Sequence, residues 1–442
     1  MNSVVIAITL MLFLSVVRVN IIIALTVSSI VAGLLSHLPI NETIAIFNQG
    51  LGHHAKLALG YATLGAFAVA LSHSGITDMI SSAIIRNLGS KHTPKRKNFV
   101  KYMLILSILI MSIFSQNLIP IHIAFIPILI PPLLAAMNML SIDRRLIACV
   151  ISFGLVTTYM ILPLGYGHMF LNDILCKQLN LNGLAVYSAD VIKAMALPAT
   201  GMFIGLLIAS LISYRKPRAY QITADVIDPA QHQEIHLPHV YSALFAIGVT
   251  VAVQIIYQDA MIMAALAGYI ILHFCGVLKR HNNEDIMTQG FNMMAMIGFI
   301  MITASGFAEV IKATGEIESL VAAVQDLIGV DHRGFIAFLM LFVGLLITMG
   351  IGSSFSTIPI IASIYVPLAM SFGFSPLATI ALVGTAAALG DAGSPVSEAT
   401  MGVTAGLNTD KQHDHIYDSV IPTFIHFNLP LIIFGWIAAM VL

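Results

Sequence analysis

The chain of 442 residues is 58% hydrophobic and only 9% charged, with a formal net charge of −1. Soluble domains carry about a quarter charged residues, so an ordinary soluble enzyme is excluded, and so near-neutral a chain offers no global basic field for nucleic acid. The three cysteines, Cys149, Cys176 and Cys275, stand far apart and suggest neither a disulfide framework nor a clustered metal site.

In chain order, Met1-Asn2-Ser3-Val4 lacks the basic start of a signal peptide and reads as the beginning of a first span. Apolar runs punctuated by turn residues predict spans at about 3–17, 19–37 and 58–84. Residues 100–141 form a longer apolar stretch whose centre, Ser115-Gln116-Asn117-Leu118-Ile119-Pro120, is polar and then proline-bearing, as expected of a helical hairpin with a polar tip. A span over 144–168 follows, broken by Pro163, Gly165 and Gly167, and then a span over 190–214.

Residues 215–237, with Asp225, Asp228, Glu234, His232 and His236, read as a polar linker whose histidines are solvated. Spans at 238–257, 259–278 and 290–313 come next, then an amphipathic interfacial helix from Glu316 to Asp331. A second hairpin occupies 333–373, with Gly350-Ile351-Gly352-Ser353-Ser354-Phe355-Ser356-Thr357-Ile358-Pro359 at its centre. A second broken span, 375–406, carries Gly390, Gly393 and Pro395, and a final span covers 418–441.

Lysine and arginine cluster at 86–101, at Arg144-Arg145, at Arg215-Lys216-Pro217-Arg218 and at Lys279-Arg280. With all four clusters in the cytoplasm, both termini lie outside, and the two hairpins enter from opposite sides. Residues 1–214 and 238–442 then form two inverted repeats, each of three spans, a re-entrant hairpin, a broken helix and a final span, in an all-α polytopic membrane fold. Local matches agree: Ser74-Gly75-Ile76-Thr77-Asp78 with Ser305-Gly306-Phe307-Ala308-Glu309 at an offset of 231, Ile119-Pro120 with Ile358-Pro359 at 239, and Pro163 with Pro395 at 232. Inverted repeats with discontinuous helices recur among secondary transporters.

A helix broken at membrane depth is tolerable only where it is buried or lines a cavity, which makes the breaks candidate sites. The richest stretch is Gly390-Asp391-Ala392-Gly393-Ser394-Pro395-Val396-Ser397-Glu398-Ala399-Thr400, with two carboxylates and three hydroxyls in an otherwise apolar span. An intramembrane carboxylate is costly and functional by default. Burial disfavours its charge and a bound cation favours it, so Asp391 is able to exchange a proton for a cation. The bland alternative is that Asp391 and Glu398 cap the two half-helices, with Glu398 near the boundary. At the hairpin tips Ser115, Gln116 and Asn117, and Ser353, Ser354, Ser356 and Thr357, either supply oxygens to ions and substrates or bond to their own turns. Thr157, Thr158, Gly165 and His168 are weaker candidates at the first break. Asp78, Glu309 and His122 read as interfacial, salt-bridged or packing residues. Neither a Walker-type phosphate loop, a zinc-protease helix nor a nucleophile elbow appears, so no cofactor beyond a coupling ion is expected.

The run Gly390-Asp391 through Ser394-Pro395-Val396-Ser397 to Thr400, with Gly352-Ser353-Ser354-Phe355-Ser356-Thr357 before it, resembles the paired signature of the NhaC-like sodium/proton antiporters, within a broad ion transporter superfamily. The resemblance implies a scaffold and a moving transport domain, elevator-type alternating access and a homodimer in the inner membrane of a prokaryote. Position by position, it implies that Asp391 binds sodium or a proton, while Ser394, Ser397, Ser353, Ser356, Thr357, Ser115 and Asn117 add oxygens. A sodium site at Asp391, Ser394 and Asn117 is one form of that expectation, with Gly393, Pro395 and Thr400 lining it. Glu398 departs from the family pattern, where a second aspartate is usual, and Ala392-Gly393 stand where Asn or Ser is usual. The chain also resembles a branch proposed to take up amino acids such as histidine. Sodium/proton antiport is therefore the leading expectation, coupled symport of a small organic substrate the alternative, and a channel or membrane enzyme the least supported.

Overall fold

The computed structural model describes residues 2–442 apart from 18, 53–54, 77–78, 80–93, 118–125, 127–129, 131–132, 135, 222–235, 258–259, 279–282, 329–331, 352–353 and 396. The described chain is helical almost throughout, as the hydropathy pattern requires of backbone that has to satisfy its own hydrogen bonds in lipid. Five described helices are long and apolar enough to cross a membrane: Asn98–Gln116, Ser188–Ser213, Leu237–Gln254, Ser354–Ser371 and His415–Val441. Large apolar side chains such as Phe13, Phe99, Leu211, Phe245, Phe274 and Phe335 are exposed on the outside of the bundle, as lipid-facing surfaces demand.

The predicted spans correspond to helices Ser3–Val16, Ile21–Leu35, Ala55–Ser72, Ser188–Ile208, Leu237–Ile256, Met261–Phe274, Asn283–Ala313 and a last span that runs from His415 to Val441. The expected span 58–84 is shorter in its described part. Ser74 donates its hydroxyl to the Leu71 carbonyl, and the chain turns at Gly75 with φ 74°, ending the helix at Ser72. Helix Ile40–Leu51 was not anticipated, because its mixed face carries Asn41, Glu42, Asn48 and Gln49; it packs against the 283–313 helix. The expected amphipathic helix appears as Ile317–Ile328.

The second hairpin is two helices, Arg333–Ile351 and Ser354–Ser371, meeting at the anticipated polar tip. Of the first, the described part is the arm Pro94–Asn117 and scattered positions from 126 to 140. The first broken span runs as Arg144–Ser152, turns π-helical over Phe153–Thr157, breaks, and restarts at Tyr166. Its second arm continues through Cys176 to Leu181, well past the expected limit at 168, because Met169, Phe170, Leu171, Ile174 and Leu175 keep an apolar face buried. The second broken span starts at Pro376 with Ser375 capping the Ala378 N–H, stops at Ala388, and resumes as Glu398–Leu407.

Two hydrophobic clusters result, bridged by the 283–313 helix, which gives Ile300 and Phe307 to the larger and Ile286 to the smaller, and by Met261, which packs against both. The larger joins the second hairpin, both broken spans, the 188–208 helix and the last span, together with the first two helices. The smaller joins Leu64 to Leu71 with Val240, Ala243, Ala265, Leu272 and Ile286. Arg144, read in sequence as part of a cytoplasmic cluster of cations, is fully buried. Its guanidinium meets Asp410 at 2.5 and 2.6 Å, the Leu407 carbonyl at 2.9 Å and Asn138 Oδ1 at 3.1 Å, under the Tyr220 ring at 4.3 Å. The charge is tolerated there because both terminal nitrogens are paired, although Nε, also buried, has no partner among the described residues.

Candidate functional site

The site forms where three segments meet: the end of the first broken span, the tip of the second hairpin and the second break. At the second break, Leu389–Gly390 pairs in parallel with Ala392–Gly393, a two-residue ladder that turns the chain around Asp391. Gly390 and Gly393 both adopt φ 92°, where a side chain is strained. A Cβ at Gly393 would lie 2.6 Å from the Phe424 backbone, and one at Gly390 would lie 3.0 Å from the Met349 nitrogen. The break is therefore held between the second hairpin and the last span, backbone against backbone.

Asp391 is buried, and its carboxylate collects three hydrogen bonds. Tyr159 donates its phenol to Oδ2 at 2.5 Å, Ser354 donates its hydroxyl to the same oxygen at 2.7 Å, and the Ser354 N–H reaches Oδ1 at 3.2 Å. The Asp391 main-chain carbonyl accepts from Ser397 Oγ at 2.6 Å and Thr400 Oγ1 at 3.3 Å, while the Gly393 N–H donates to Thr400 Oγ1 at 3.2 Å. Hydroxyls from the second arm thus take the place of the helical partners that the break removes, while the carboxylate meets the first N–H of the hairpin's second helix. Asp391 and Ser354, Ser397, Thr400 and Gly393 are brought together as a single polar cluster.

The other anticipated residues are placed differently. Ser394 is buried and donates to the Met349 carbonyl at 3.2 Å, and the Pro395 carbonyl faces His415 Nε2 at 2.9 Å. Ser356 and Thr357 are buried in the first turn of the hairpin's second helix. Thr157 Oγ1 lies 3.4 Å from the Met202 sulfur, and Thr158 donates to the Gly154 carbonyl of its own helix, so neither bonds to the carboxylate. Ser115 donates to the Ser112 carbonyl at 3.0 Å, and Gln116 Oε1, also buried, has no partner among the described residues. The side chains of Asn117 and Glu398, like Ser353, Asp78 and His122, lie outside what is described. Glu309 forms an ion pair with Lys312 at 3.1 Å, in line with its salt-bridged reading, and His168 lies 3.4 Å from Asp173.

Two residues escaped the sequence reading. Tyr159 is one, packed among Phe170, Phe355 and Tyr166 with ring centroids 4.7, 5.7 and 6.0 Å away. Asn428 is the other: it sits in a π-helical turn of the last span and accepts the Gly390 N–H at 3.1 Å, with its amide nitrogen buried and lacking a partner among the described residues. The signal for both was weak, a polar atom on a residue flanked by apolar helix, although π-helical turns do gather at functional sites.

Broken helices that enclose a buried carboxylate, within a bundle of apolar spans, are the architecture of a membrane transporter. The comparisons agree. A family model described as "Na+/H+ antiporter family" matches residues 150–436, and a second, "Na+-H+ antiporter family", matches residues 2–88. The chain belongs to the Na+/H+ antiporter family. It is 54% identical to an uncharacterized membrane protein of Vibrio parahaemolyticus and 50% identical to the proposed amino acid transporter YuiF of Bacillus subtilis, in each case over 100% of both chains. Among solved structures, the Alcanivorax borkumensis YdaH transporter shares the fold at a TM-score of 0.60 and 12% identity, covering 90% of this chain and 87% of that one.

Proposed function

We propose that the protein is a sodium/proton antiporter in which Asp391 carries either a proton or a sodium ion. The observation that carries this reading is a buried carboxylate in a broken helix whose described donors are all neutral groups, Tyr159 and Ser354. A carboxylate without a fixed counter-charge is free to take its positive charge from the transported species. Carboxylate, hydroxyl and carbonyl oxygens are the ligands hard cations prefer, and Ser394, Ser397, Thr400 and the hairpin-tip hydroxyls stand close along the chain to supply more. Glu398, opening the second arm, is assigned a supporting part in proton exchange.

In this reading residues 1–214 and 238–442 are inverted halves joined by 215–237. The matching order of hairpin, broken span and final span in both supports it. Elevator-type movement, a homodimer and the inner membrane of a prokaryote complete the proposal. A specific observation favours a second reading, coupled symport of an amino acid: half of the residues are identical to those of YuiF.

Purified protein in liposomes with a lumenal pH dye separates them. Sodium alone is expected to drive proton movement, and Asp391→Asn to reduce it to the protein-free background while the protein still elutes as a folded species. A response that requires histidine or another amino acid moves the assignment to symport. Normal transport by Asp391→Asn removes the site altogether.

A further inference from the structure

Three oxygen atoms at the site form a closed triangle. Asp391 Oδ2 lies 2.5 Å from the Tyr159 hydroxyl and 2.7 Å from Ser354 Oγ, and those two hydroxyls are 3.1 Å from each other. All three edges are hydrogen-bond distances. With Asp391 charged, both hydroxyls point their protons at Oδ2. With one more proton, on Oδ2, the same three atoms bond head to tail around the triangle: Oδ2–H to one hydroxyl, that hydroxyl to the other, and the last back to the carboxyl. One O–H bond forms, one hydroxyl rotates, and no heavy atom moves.

A cation does not fit the same arrangement. Oxygen ligands of an ion of calcium's size, which sodium shares, sit roughly 2.3–2.6 Å from it, so neighbouring ligands at right angles lie roughly 3.3–3.7 Å apart. All three edges fall below that range, and the triangle has to open before one cation is held by all three oxygens. Two of its corners belong to the second half of the chain and one, Tyr159, to the first.

We propose that Tyr159 is a positioning residue of the coupling site, whose hydroxyl completes a three-oxygen ring that accepts a proton as it stands and opens across the two halves of the chain to admit a cation. The proposal rests on Asp391 being the coupling carboxylate. Other ionisable groups on elements packed around the break are engaged or distant: Tyr365 donates to the Met340 carbonyl, His415 meets Thr404 and Pro395, Asp418 meets Arg218, His426 meets Pro422 and Ser213, and Arg333 stands at the far end of the hairpin arm. Tyr166 is the remaining neighbour among the described side chains, its ring tilted at 60° to Phe355 with centroids 4.3 Å apart; Glu398, opening the second arm, is the other carboxyl close along the chain.

Tyr159→Phe keeps the ring and its packing and deletes one corner. The charged form loses a charge-assisted bond and the protonated form a weaker neutral one, so proton binding strengthens relative to the parent. Infrared difference spectra of the protein in lipid, titrated with pH, read the carboxyl of Asp391 directly; Asp391→Asn identifies its band by removing it. The expected results are a midpoint about one pH unit higher in Tyr159→Phe, a tenfold change in proton affinity, and severalfold tighter sodium at alkaline pH, where no phenol bond has to break. A role in packing alone lowers the maximal transport rate and leaves both the midpoint and the sodium dependence unmoved. Ser354→Ala removes another corner and is expected to move the midpoint in the same direction, which keeps the test intact if Tyr159→Phe is poorly folded. An unmoved midpoint in the folded variants overturns the ring while leaving Asp391 in place; normal transport by Asp391→Asn overturns the site on which the ring rests.

Discussion

The two breaks solve the same backbone problem with different chemistry. At the first, the chain turns through Pro163 to Gly165, φ 53°, and offers the site a phenol from a cluster of buried aromatic rings. At the second, two glycines at φ 92° turn the chain around a carboxylate, and serine and threonine hydroxyls replace the lost helical partners. Similar order along the chain does not imply a shared role. The first break supplies a neutral donor and the second supplies the charge, so the polarity of the site comes from one half and its closure from the other.

Several measurements break or sharpen that contrast. The largest effect is expected of Asp391→Asn, with coupled transport reduced about a hundredfold or more, the scale on which an intramembrane charge matters. Next comes the ion pair that joins the start of the first broken span to the loop after the second. Arg144→Met leaves Asp410 buried without its partner, and is expected to lower stability by about 3–5 kcal/mol. The double variant Arg144→Met with Asp410→Leu is expected to recover most of it, read as thermal unfolding in detergent.

The same loop confers a pH dependence on stability. Burial lowers His413 to about 4, while Asp410, despite the cost of burial, is held below the ordinary carboxylate range by Arg144. Both shifts are depressions, so stability is complete above about pH 6.5 and declines as acid protonates His413 and then Asp410. Between pH 6.5 and 5 the histidine alone accounts for about 2 kcal/mol at 1.36 kcal/mol per unit. His413→Gln is expected to flatten that part of the thermal unfolding profile. The smallest effect belongs to Thr157→Val, whose hydroxyl lies against the Met202 sulfur; transport within about twofold of the parent fits a hydrogen bond of modest net value. A large loss would mean that the first break carries chemistry as well as closure.

Much of this architecture was legible in the sequence because lipid permits few solutions. Long apolar runs had to be helices, and proline with glycine at their centres had to be breaks beside polar groups. Asp391, Ser354, Ser397 and Thr400 stood out because each is polar in an apolar neighbourhood. Tyr159 did not, since an aromatic residue in a membrane helix is ordinary packing until its hydroxyl is found 2.5 Å from a carboxylate. Asn428 was hidden for a related reason: one amide in a long apolar span acquires meaning only from Gly390, 38 residues earlier. Arg144 misled in the opposite sense, because position near a span end marks a cation as a topological signal without revealing that a partner 266 residues away buries it.

That separation sets an order on how the molecule is made. Synthesis inserts Arg144 in the first third of the chain, and its carboxylate arrives only with the last tenth. Until then the start of the first broken span has a charge that its final surroundings do not tolerate alone. The bond between Arg144 and Asp410 therefore acts as a completion mark: a chain interrupted before Asp410 lacks the carboxylate that this buried cation needs.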